Sequence, residues 1–332
     1  MTFTTPADAT GGGDFEAVPL IDFGGMLHGT AQSKACVASK LRSACTNVGF
    51  FYIANHGVPE AMTEEVLAQT AAFFDRPLAE KRSVSQKLSK SNTGYLAIGD
   101  EILHEDHPPD AKETFHINRE IADDDPGYLA GKPFVAPNQW LPDMPRFRSL
   151  MVDYFDRQKW LCEQLHRAFA LDLGLAPEFF DRHIDEPLAT LRLLHYPPHP
   201  GAFDGRQYGA APHTDYGNLT TLLQDDRGGL QVRARDGGWI DALPIPGTLL
   251  CNIGDCLMRW SNDIYVSTPH RVVNRSGRDR YSAAFFHDPN YDADVACLPS
   301  CTGPDRPARY PPITGGAYLI AKLQEAFGYA GA

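Results

Sequence analysis

The chain has 332 residues, of which 43% are hydrophobic and 11% aromatic, enough for a packed core in one large domain or two modest ones. This composition excludes a disordered, collagen-like or coiled-coil chain. The 42 acidic and 30 basic side chains give a net charge of −12. Such a balance argues against a nucleic-acid or anionic-membrane partner, because phosphate groups are bound by a net basic face.

The absence of targeting patterns and the arrangement of the cysteines are typical of a cytoplasmic protein. No apolar run approaches the roughly 20 residues that span a bilayer, and no basic segment followed by an apolar one marks a secretory signal. The seven cysteines are an odd number and form no Cys-x-x-Cys pair, so neither a disulfide framework nor a structural zinc site is expected. We expect a cytoplasmic globular protein without a membrane partner, and no pattern specifies its oligomeric state.

The first half of the chain has a mixed pattern. Residues 1–16 are small and polar and are predicted to form a flexible leader. Residues 17–140 are predicted to form a mixed α/β region. It contains strands over 18–23 and 48–54 and a helix over 59–75 that begins with a proline.

The second half, residues 141–332, is predicted to add a long helix and a β core and to form one compact unit with the first half. Apolar positions between 147 and 173 follow the 3.6-residue period, and Gly174 ends the helix. A shorter helix is predicted over 177–184. Short β-rich runs then recur every 8–12 residues, which is typical of a sandwich or barrel. They lie at 190–196, 219–223, 230–232, 248–253, 270–274 and 281–286.

Turn residues separate these runs. Segments 226–229, 236–238 and 276–278 are rich in Gly and Asp or Ser. Because such residues adopt the tight turns of two-stranded ribbons, we predict that each segment links the two strands of a hairpin.

The triplet His-x-Asp occurs three times among the twelve histidines. The one at 104–106 lies in a charged loop and indicates a solvated surface. The one at 183–185 lies at a helix end, where positions i and i+2 do not share a face. His213 and Asp215 directly precede the apolar run at 219–223. If they belong to a strand, both side chains point to the same face.

A metal site needs a third ligand, and His270 lies in another β-rich run. Two histidines and one carboxylate match the facial triad of non-haem Fe(II) oxygenases, which leaves positions open for a cosubstrate and O₂. Spacing alone is equally compatible with a structural role for His270.

The triplet Arg-x-Ser occurs twice. Arg259 and Ser261 precede Asn and Asp and indicate a strand end or turn. Arg280 and Ser282 begin a strong strand and would share one face. A guanidinium that faces an apolar interior can grip a carboxylate with two hydrogen bonds. The alternative is a buried ion pair with an acidic residue of the chain.

From about residue 17 to 325, the chain resembles the 2-oxoglutarate- and Fe(II)-dependent dioxygenases of the isopenicillin N synthase-like family, with the motifs in the family's order. These motifs are Gly49-Phe50-Phe51-Tyr52, Asn55-His56-Gly57-Val58-Pro59, Asp110-Ala111-Lys112-Glu113, Tyr196-Pro197-Pro198, His213-Thr214-Asp215, Gly228-Gly229-Leu230-Gln231-Val232, His270-Arg271-Val272 and Arg280-Tyr281-Ser282.

The resemblance implies a mainly β fold, a double-stranded β-helix (jelly-roll) core with flanking helices. It implies an oxidoreductase that hydroxylates or otherwise oxidises a small molecule, by desaturation or ring formation, using O₂ and releasing succinate and CO₂, with ascorbate supporting activity. It also implies a set of site residues. Fe(II) would be held by His213, Asp215 and His270, and the distal carboxylate of 2-oxoglutarate by Arg280 and Ser282 with Tyr196 assisting.

One departure from the family concerns the cosubstrate. Many plant members have Asn-x-Tyr where this chain has Leu194-His195-Tyr196. Either the keto-acid end is placed differently, or His195 substitutes for the asparagine, or His195 is a packed or surface residue.

His56 is expected to be structural, at a strand end or turn. The expected pocket walls are segment 94–109, the pair Phe286-His287 and segment 319–327.

Other functions remain open at this stage. They are an Fe(II) oxidase that needs no keto acid, a relative that fragments 2-oxoglutarate to ethylene, a zinc hydrolase with the same three ligands, and a metal-free β-barrel binding protein. Retained activity with zinc would favour the hydrolase, and the products formed from 2-oxoglutarate would separate the first two.

Overall fold

The structure is a computed structural model that describes residues 17–100, 108–199, 203 and 205–327. The leader predicted for 1–16 and the triplet at 104–106 lie outside these residues. Within them the strands are β1 (Leu20–Asp22), β2 (Phe50–Ala54), β3 (Gly94–Leu96), β4 (Glu113–Asn118), β5 (Pro187–Tyr196), β6 (Ala210–His213), β7 (Leu219–Gln224), β8 (Leu230–Arg233), β9 (Trp239–Asp241), β10 (Thr248–Ile253), β11 (His270–Val272), β12 (Arg280–Asn290), β13 (Asp294–Val295) and β14 (Ile313–Thr314). The helices are α1 (Gly24–His28), α2 (Ala31–Asn47), α3 (Glu60–Phe74), α4 (Leu78–Ser83), α5 (Pro126–Leu129), α6 (Pro145–Asp172), α7 (Asp181–Ile184), α8 (Asp255–Trp260) and α9 (Gly315–Phe327).

Two sheets form the centre of the molecule. The major sheet has the strand order β1-β2-β10-β7-β12-β5-β4-β3, and the minor sheet has the order β6-β11-β8-β9. Helices α2, α3 and α6 cover one face of the major sheet, and an apolar cluster from both sheets lies between its other face and the minor sheet. This is the expected jelly-roll core with flanking helices.

Strand β12 shows why the major sheet holds both a core and a site. Successive side chains of a strand point to opposite faces. Ala283 and Phe285 pack into the cluster under the helices. Arg280, Ser282 and Ala284 point the other way, between the sheets. Because both faces are covered there, the middle of the strand, residues 283–286, is entirely apolar.

The long helix was correctly predicted. Predicted over 147–173, it is α6, Pro145–Asp172, with proline at its first position, where a missing N–H costs nothing. The Phe155 ring packs edge-on against Phe285 of the sheet at 5.0 Å between ring centroids. The helix predicted over 59–75 is α3. The one predicted over 177–184 is shorter, since only α7, Asp181–Ile184, is helical.

Helix α2 was not predicted from the sequence. Its buried positions do recur at helical spacing, but three of them, Ala38, Ala44 and Cys45, are small, so the apolar stripe is weak. Small side chains suffice here because the buried face of the helix packs against α6 and against β1 and β2. Of the described helices, none is long and apolar enough to cross a membrane.

Two of the three predicted hairpin turns were wrong. Segment 236–238 does join paired strands, β8 and β9. Segment 226–229 instead connects β7 of the major sheet to β8 of the minor sheet, and 276–278 connects β11 of the minor sheet to β12 of the major sheet. A turn sequence specifies a local reversal of the chain, but the sheet that each strand joins depends on distant partners.

Candidate active site

Three potential metal donors meet at the edge where β6 and β11 pair. His213, the last residue of β6, lies directly opposite His270, the first residue of β11. Asp215 completes the group: one donor atom from each of the three side chains lies within 4.8 Å of the others. The Asp215 Oδ1 atom is 3.8 Å from Nε2 of His213 and 3.7 Å from Nε2 of His270.

The remaining polar atoms of the three side chains are fixed by hydrogen bonds. Nδ1 of His213 lies 2.7 Å from the Ala211 carbonyl, and Nδ1 of His270 lies 3.3 Å from the Thr268 carbonyl. Because a carbonyl only accepts, both rings carry hydrogen on Nδ1 and present a lone pair on Nε2. Such outer contacts orient the ligands of metal sites.

The aspartate is held in the same way. Its Oδ2 accepts hydrogen bonds from the Thr220 hydroxyl at 2.6 Å and from the Asn252 amide at 2.7 Å, which leaves Oδ1 for the two imidazoles. The sequence analysis missed both partners. Each partner is a polar side chain in a largely apolar strand, on the face directed between the sheets. That pattern could have identified them.

One step of the sequence argument was wrong. His213 and Asp215 do not share a strand face, because β6 ends at His213 and Asp215 lies in the connection that follows. The backbone carbonyl of Asp215 instead accepts the N–H of Asp255, the first residue of α8. Packing against α8, rather than strand alternation, places this carboxylate beside the imidazoles.

The electrostatics of the group suit a cation. Burial, and then the neighbouring His270, lower the pKa of His213 well below its usual range, so its ring is neutral. Burial alone would raise the pKa of Asp215, but the two imidazoles and the hydrogen bonds from Thr220 and Asn252 hold it below its ordinary value. Two imidazoles and one carboxylate form the donor set of non-haem Fe(II) sites, so the residues present fit that ion.

A buried guanidinium lies in the same space. Arg280 is 1% exposed, and its Nε donates to the Gly228 carbonyl at 2.6 Å. Its other nitrogens lie 3.4 Å from Ser282 Oγ and 3.3 Å from Gln224 Oε1, and its carbon lies 4.8 Å from the centre of the Tyr196 ring. Among the described residues no carboxylate lies within 4.0 Å of it. A buried guanidinium with no acidic partner is suited to bind an anionic ligand such as a carboxylate.

One cavity of about 1070 Å³ contains both features. Leu194, the residue at the family's asparagine position, also lines it. All six residues singled out by the sequence analysis line its wall, namely Tyr196, His213, Asp215, His270, Arg280 and Ser282.

The expected pocket walls are present in part. Leu96 and Asp100 of segment 94–109 line the cavity, as do Phe286 and, from α9, Leu319 and Leu323. Within the first segment, 101–107 lies outside the described residues. The expectation for His287 was wrong: it lies beneath the sheet, 5.1 Å from the ring of His166, because its neighbour Phe286 takes the cavity face.

Two further histidines lie away from the cavity. His195 points to the opposite face of β5, where its ring nitrogens lie 2.8 Å from carboxylate oxygens of Glu113 and Asp279. Of the alternatives for His195, the structure therefore supports a packed residue. His56 lies in the turn after β2, where its Nδ1 accepts the N–H of Val58, as expected of a structural residue.

Known proteins resemble this chain in sequence and in structure. Residues 18–143 match the model of the non-haem dioxygenase in morphine synthesis N-terminal family, and residues 187–289 match that of the 2OG-Fe(II) oxygenase superfamily. The 2-oxoglutarate-Fe(II) type oxidoreductase hxnY of Emericella nidulans is 36% identical, over 95% of this chain and 91% of that one. Homoarginine-6-hydroxylase 2-ODD-C23 of Glycine max is 37% identical, over 86% and 89%. The crystal structure of a full-length Neurospora crassa protein in complex with alpha-KG and thymine superposes with a TM-score of 0.84 at 35% identity, over 93% and 97%.

The fold, the metal donor set and the family matches together define a non-haem iron enzyme that uses a keto acid. The chain belongs to the 2-oxoglutarate- and Fe(II)-dependent oxygenase superfamily. It is an oxidoreductase with Fe(II) and 2-oxoglutarate as cofactor and cosubstrate, and it oxidises small molecules. This confirms the class, fold and cofactors that the resemblance implied.

Proposed function

We propose that this enzyme hydroxylates a small polar molecule at the cavity between the two sheets. Fe(II) is held by His213, Asp215 and His270, and the distal carboxylate of 2-oxoglutarate by Arg280 and Ser282. The observation that carries the proposal is the pairing, in one cavity, of a complete metal donor set with a buried arginine that lacks an acidic partner.

When bound, iron and 2-oxoglutarate would supply the oxidising power, with O₂ as the oxidant and with succinate and CO₂ as the products of the keto acid. The chain contributes fixed geometry and charge. Thr220 and Asn252 hold Asp215 so that only one oxygen is offered to the metal. Gly228 and Gln224 fix the guanidinium of Arg280 through two of its nitrogens. A guanidinium fixed in this way can bind a carboxylate through paired hydrogen bonds.

The cavity wall near the predicted cosubstrate site supports a distinct placement of the keto acid. Leu194 is 6% exposed and lies opposite Ser282 in the sheet, so it offers an apolar contact where an amide would hydrogen-bond. We infer that orientation of the keto acid depends on Arg280, Ser282 and the metal, with Tyr196 closing one side of the guanidinium.

Relatives support hydroxylation as the reaction and a nitrogen-containing polar molecule as the substrate. Homoarginine-6-hydroxylases are among them, and the Neurospora crassa protein binds thymine and 5-formyluracil in its crystal structures. We propose thymine and L-homoarginine as the first substrates to test.

The decisive experiment measures products from 2-oxoglutarate. Purified protein with Fe(II), ascorbate, O₂ and candidate substrates should release succinate and CO₂ in a 1:1 ratio with substrate oxidised. Ethylene in place of succinate would identify a 2-oxoglutarate-fragmenting relative, and oxidation without keto acid would identify a keto-acid-independent oxidase. Absence of succinate together with no thermal shift on adding 2-oxoglutarate would refute the proposal.

We also propose that the enzyme works in the cytoplasm. The support is the set of seven cysteines, all free thiols in the structure, five of them buried. Reduced thiols are typical of the cytosol. Cell fractionation that found the protein in a secreted or membrane fraction would contradict this location.

A further inference from the structure

A second buried acidic group lines the cavity and has no role in the site described above. Asp288 lies on β12, beyond Arg280 and Ser282 along the same strand. It is 8% exposed. Phe286, two residues earlier, also lines the cavity. The strand therefore presents a basic end, an apolar middle and an acidic end to the same space.

The Asp288 carboxyl group has almost no compensation. Among the described residues, no Lys, Arg or His nitrogen lies within 4.0 Å of it, and its Oδ1 has no hydrogen-bond partner. One backbone N–H, that of Asn218, favours its charged form. Burying a carboxylate without a cation is costly, so a carboxyl group of this kind in a cavity wall needs a donor from a ligand, an ion or water.

A glycine makes this arrangement possible. A Cβ atom on Gly217 would lie 1.7 Å from Oδ1 of Asp288, so any other residue at 217 would expel the carboxyl group. Gly217 follows Asp215 by two residues, which places its Cα within about 7 Å of the Cα of that residue. The uncompensated carboxyl group therefore packs against the segment that carries Asp215, and it lines the same cavity as the metal donors.

The charge state of the Asp288 carboxyl group determines which hydrogen-bond donor suits it. Burial, and to a smaller extent the negative charge of Asp215, raise the pKa of Asp288 to about 7. Near neutral pH the charged form is populated, and it lacks donors. An N–H group, above all a cationic or paired one, satisfies a carboxylate better than a single hydroxyl does.

Building on the proposed function, we propose that Asp288 accepts a hydrogen bond from an N–H group of the substrate and so selects nitrogen-bearing small molecules over nitrogen-free acids, phenols and terpenes. Asp288 is a binding residue in this scheme: it orients the substrate and takes no part in the oxidation.

The test compares paired compounds and matched variants in the Fe(II)- and 2-oxoglutarate-loaded enzyme. The panel contains thymine with 1,3-dimethylthymine, L-homoarginine with its guanidino-methylated form, and nitrogen-free phenols and carboxylic acids. Succinate release gives kcat and KM, and thermal shift gives binding of compound and of 2-oxoglutarate. The variants are D288N and, as a control, D292N, which neutralises an exposed carboxylate at the edge of the same cavity.

We expect turnover of at least one N–H compound and a loss of at least 10-fold in kcat/KM when its N–H groups are methylated. D288N should raise KM for that compound 10- to 100-fold with kcat within threefold, and D292N should change KM less than twofold. Because D288N removes an uncompensated buried charge, it should unfold at the same or a higher temperature, so the KM effect cannot be ascribed to unfolding.

Several results would overturn the inference. An acid that donated its proton would be mimicked by an amide, so an unchanged KM in D288N would contradict an accepting carboxylate. Protein that binds 2-oxoglutarate but oxidises no N–H compound would refute the nitrogen class and leave the proposed function standing. No succinate with any compound and no shift with 2-oxoglutarate would instead remove the proposed function itself.

Discussion

At the scale of single residues, the hydroxyl of Thr220 should control metal affinity through Asp215. Thr220→Val keeps the shape but removes the hydrogen bond to Oδ2, and loss of such an outer contact typically weakens a metal site 10- to 100-fold. A competition titration of Fe(II) or Co(II) against a chelator measures it.

The adjacent threonine provides the control. Thr221 is equally buried but faces the helices, where its hydroxyl donates to Gln158 at 2.7 Å. Thr221→Val should leave metal affinity unchanged while lowering stability. Equal effects of the two substitutions on metal binding would show that general destabilisation, and not the contact with Asp215, is responsible.

A second residue-scale prediction concerns Arg280. Arg280→Gln removes the buried positive charge, and truncating one side of a buried charged pair costs about 3 kcal/mol, or roughly 100-fold in 2-oxoglutarate affinity. Calorimetric titration of the Fe(II)-loaded protein with 2-oxoglutarate measures it. Arg259→Gln, in the other Arg-x-Ser triplet, changes a residue that binds the Pro311 carbonyl outside the cavity and should leave this affinity unaltered.

At the scale of elements, the cap of α2 is expected to matter for stability. The Thr30 hydroxyl accepts the N–H of Ser33 at the helix N-terminus. Thr30→Ala should lower the free energy of unfolding by about 1 kcal/mol, and Thr30→Ser should restore most of it. Urea denaturation measures both. A loss in the serine variant as large as in the alanine variant would assign the effect to the threonine methyl group.

Helix α2 also shows where sequence patterns are weak. The apolar stripe of α6 is made of large side chains and was visible in the sequence, whereas that of α2 is largely made of small ones. A helix packed close to a neighbour needs small residues at the contact, and those residues carry little periodic signal. The strand at 248–253 was easier to detect, because residues 249–253 of β10 are all buried and all but Asn252 are apolar.

At the scale of the whole molecule, buried histidines set the response to acid. Burial lowers the pKa of His166 to about 4. Below pH 6.5 the imidazole of His166 is protonated in the unfolded chain but stays neutral in the folded protein. The free energy of unfolding therefore falls as the pH falls, until about pH 4. The contribution approaches about 3 kcal/mol. His166→Gln should make the free energy of unfolding less dependent on pH between 6.5 and 4.5.

His195 should act in the opposite direction. Burial alone would lower its pKa, but hydrogen bonds to Glu113 and Asp279 raise it above the ordinary value. Its contribution is therefore present below pH 6.5 and disappears as pH rises through the folded-state pKa. His195→Gln should remove part of the stability measured at pH 6 and little of that at pH 9, by urea denaturation at each pH. A variant with equal losses at both values would contradict the charged pairing.

The sequence by itself determined the class of reaction and most of the side chains at the candidate site. The types and order of the motifs indicated a jelly-roll oxygenase, and the residues now found around the cavity, such as His213, His270 and Arg280, could be named from their patterns. Strand alternation is a local property, so it correctly assigned Arg280 and Ser282 to one face.

Only the tertiary structure decided which groups meet and what each one lacks. Asp215 lies beyond its predicted strand and is placed by α8, and two predicted hairpin turns cross between sheets. Whether Arg280 and Asp288 have partners depends on residues distant in the chain. The physical reason is that local patterns fix the direction of a side chain, whereas its partners are fixed by how separately formed strands and helices pack.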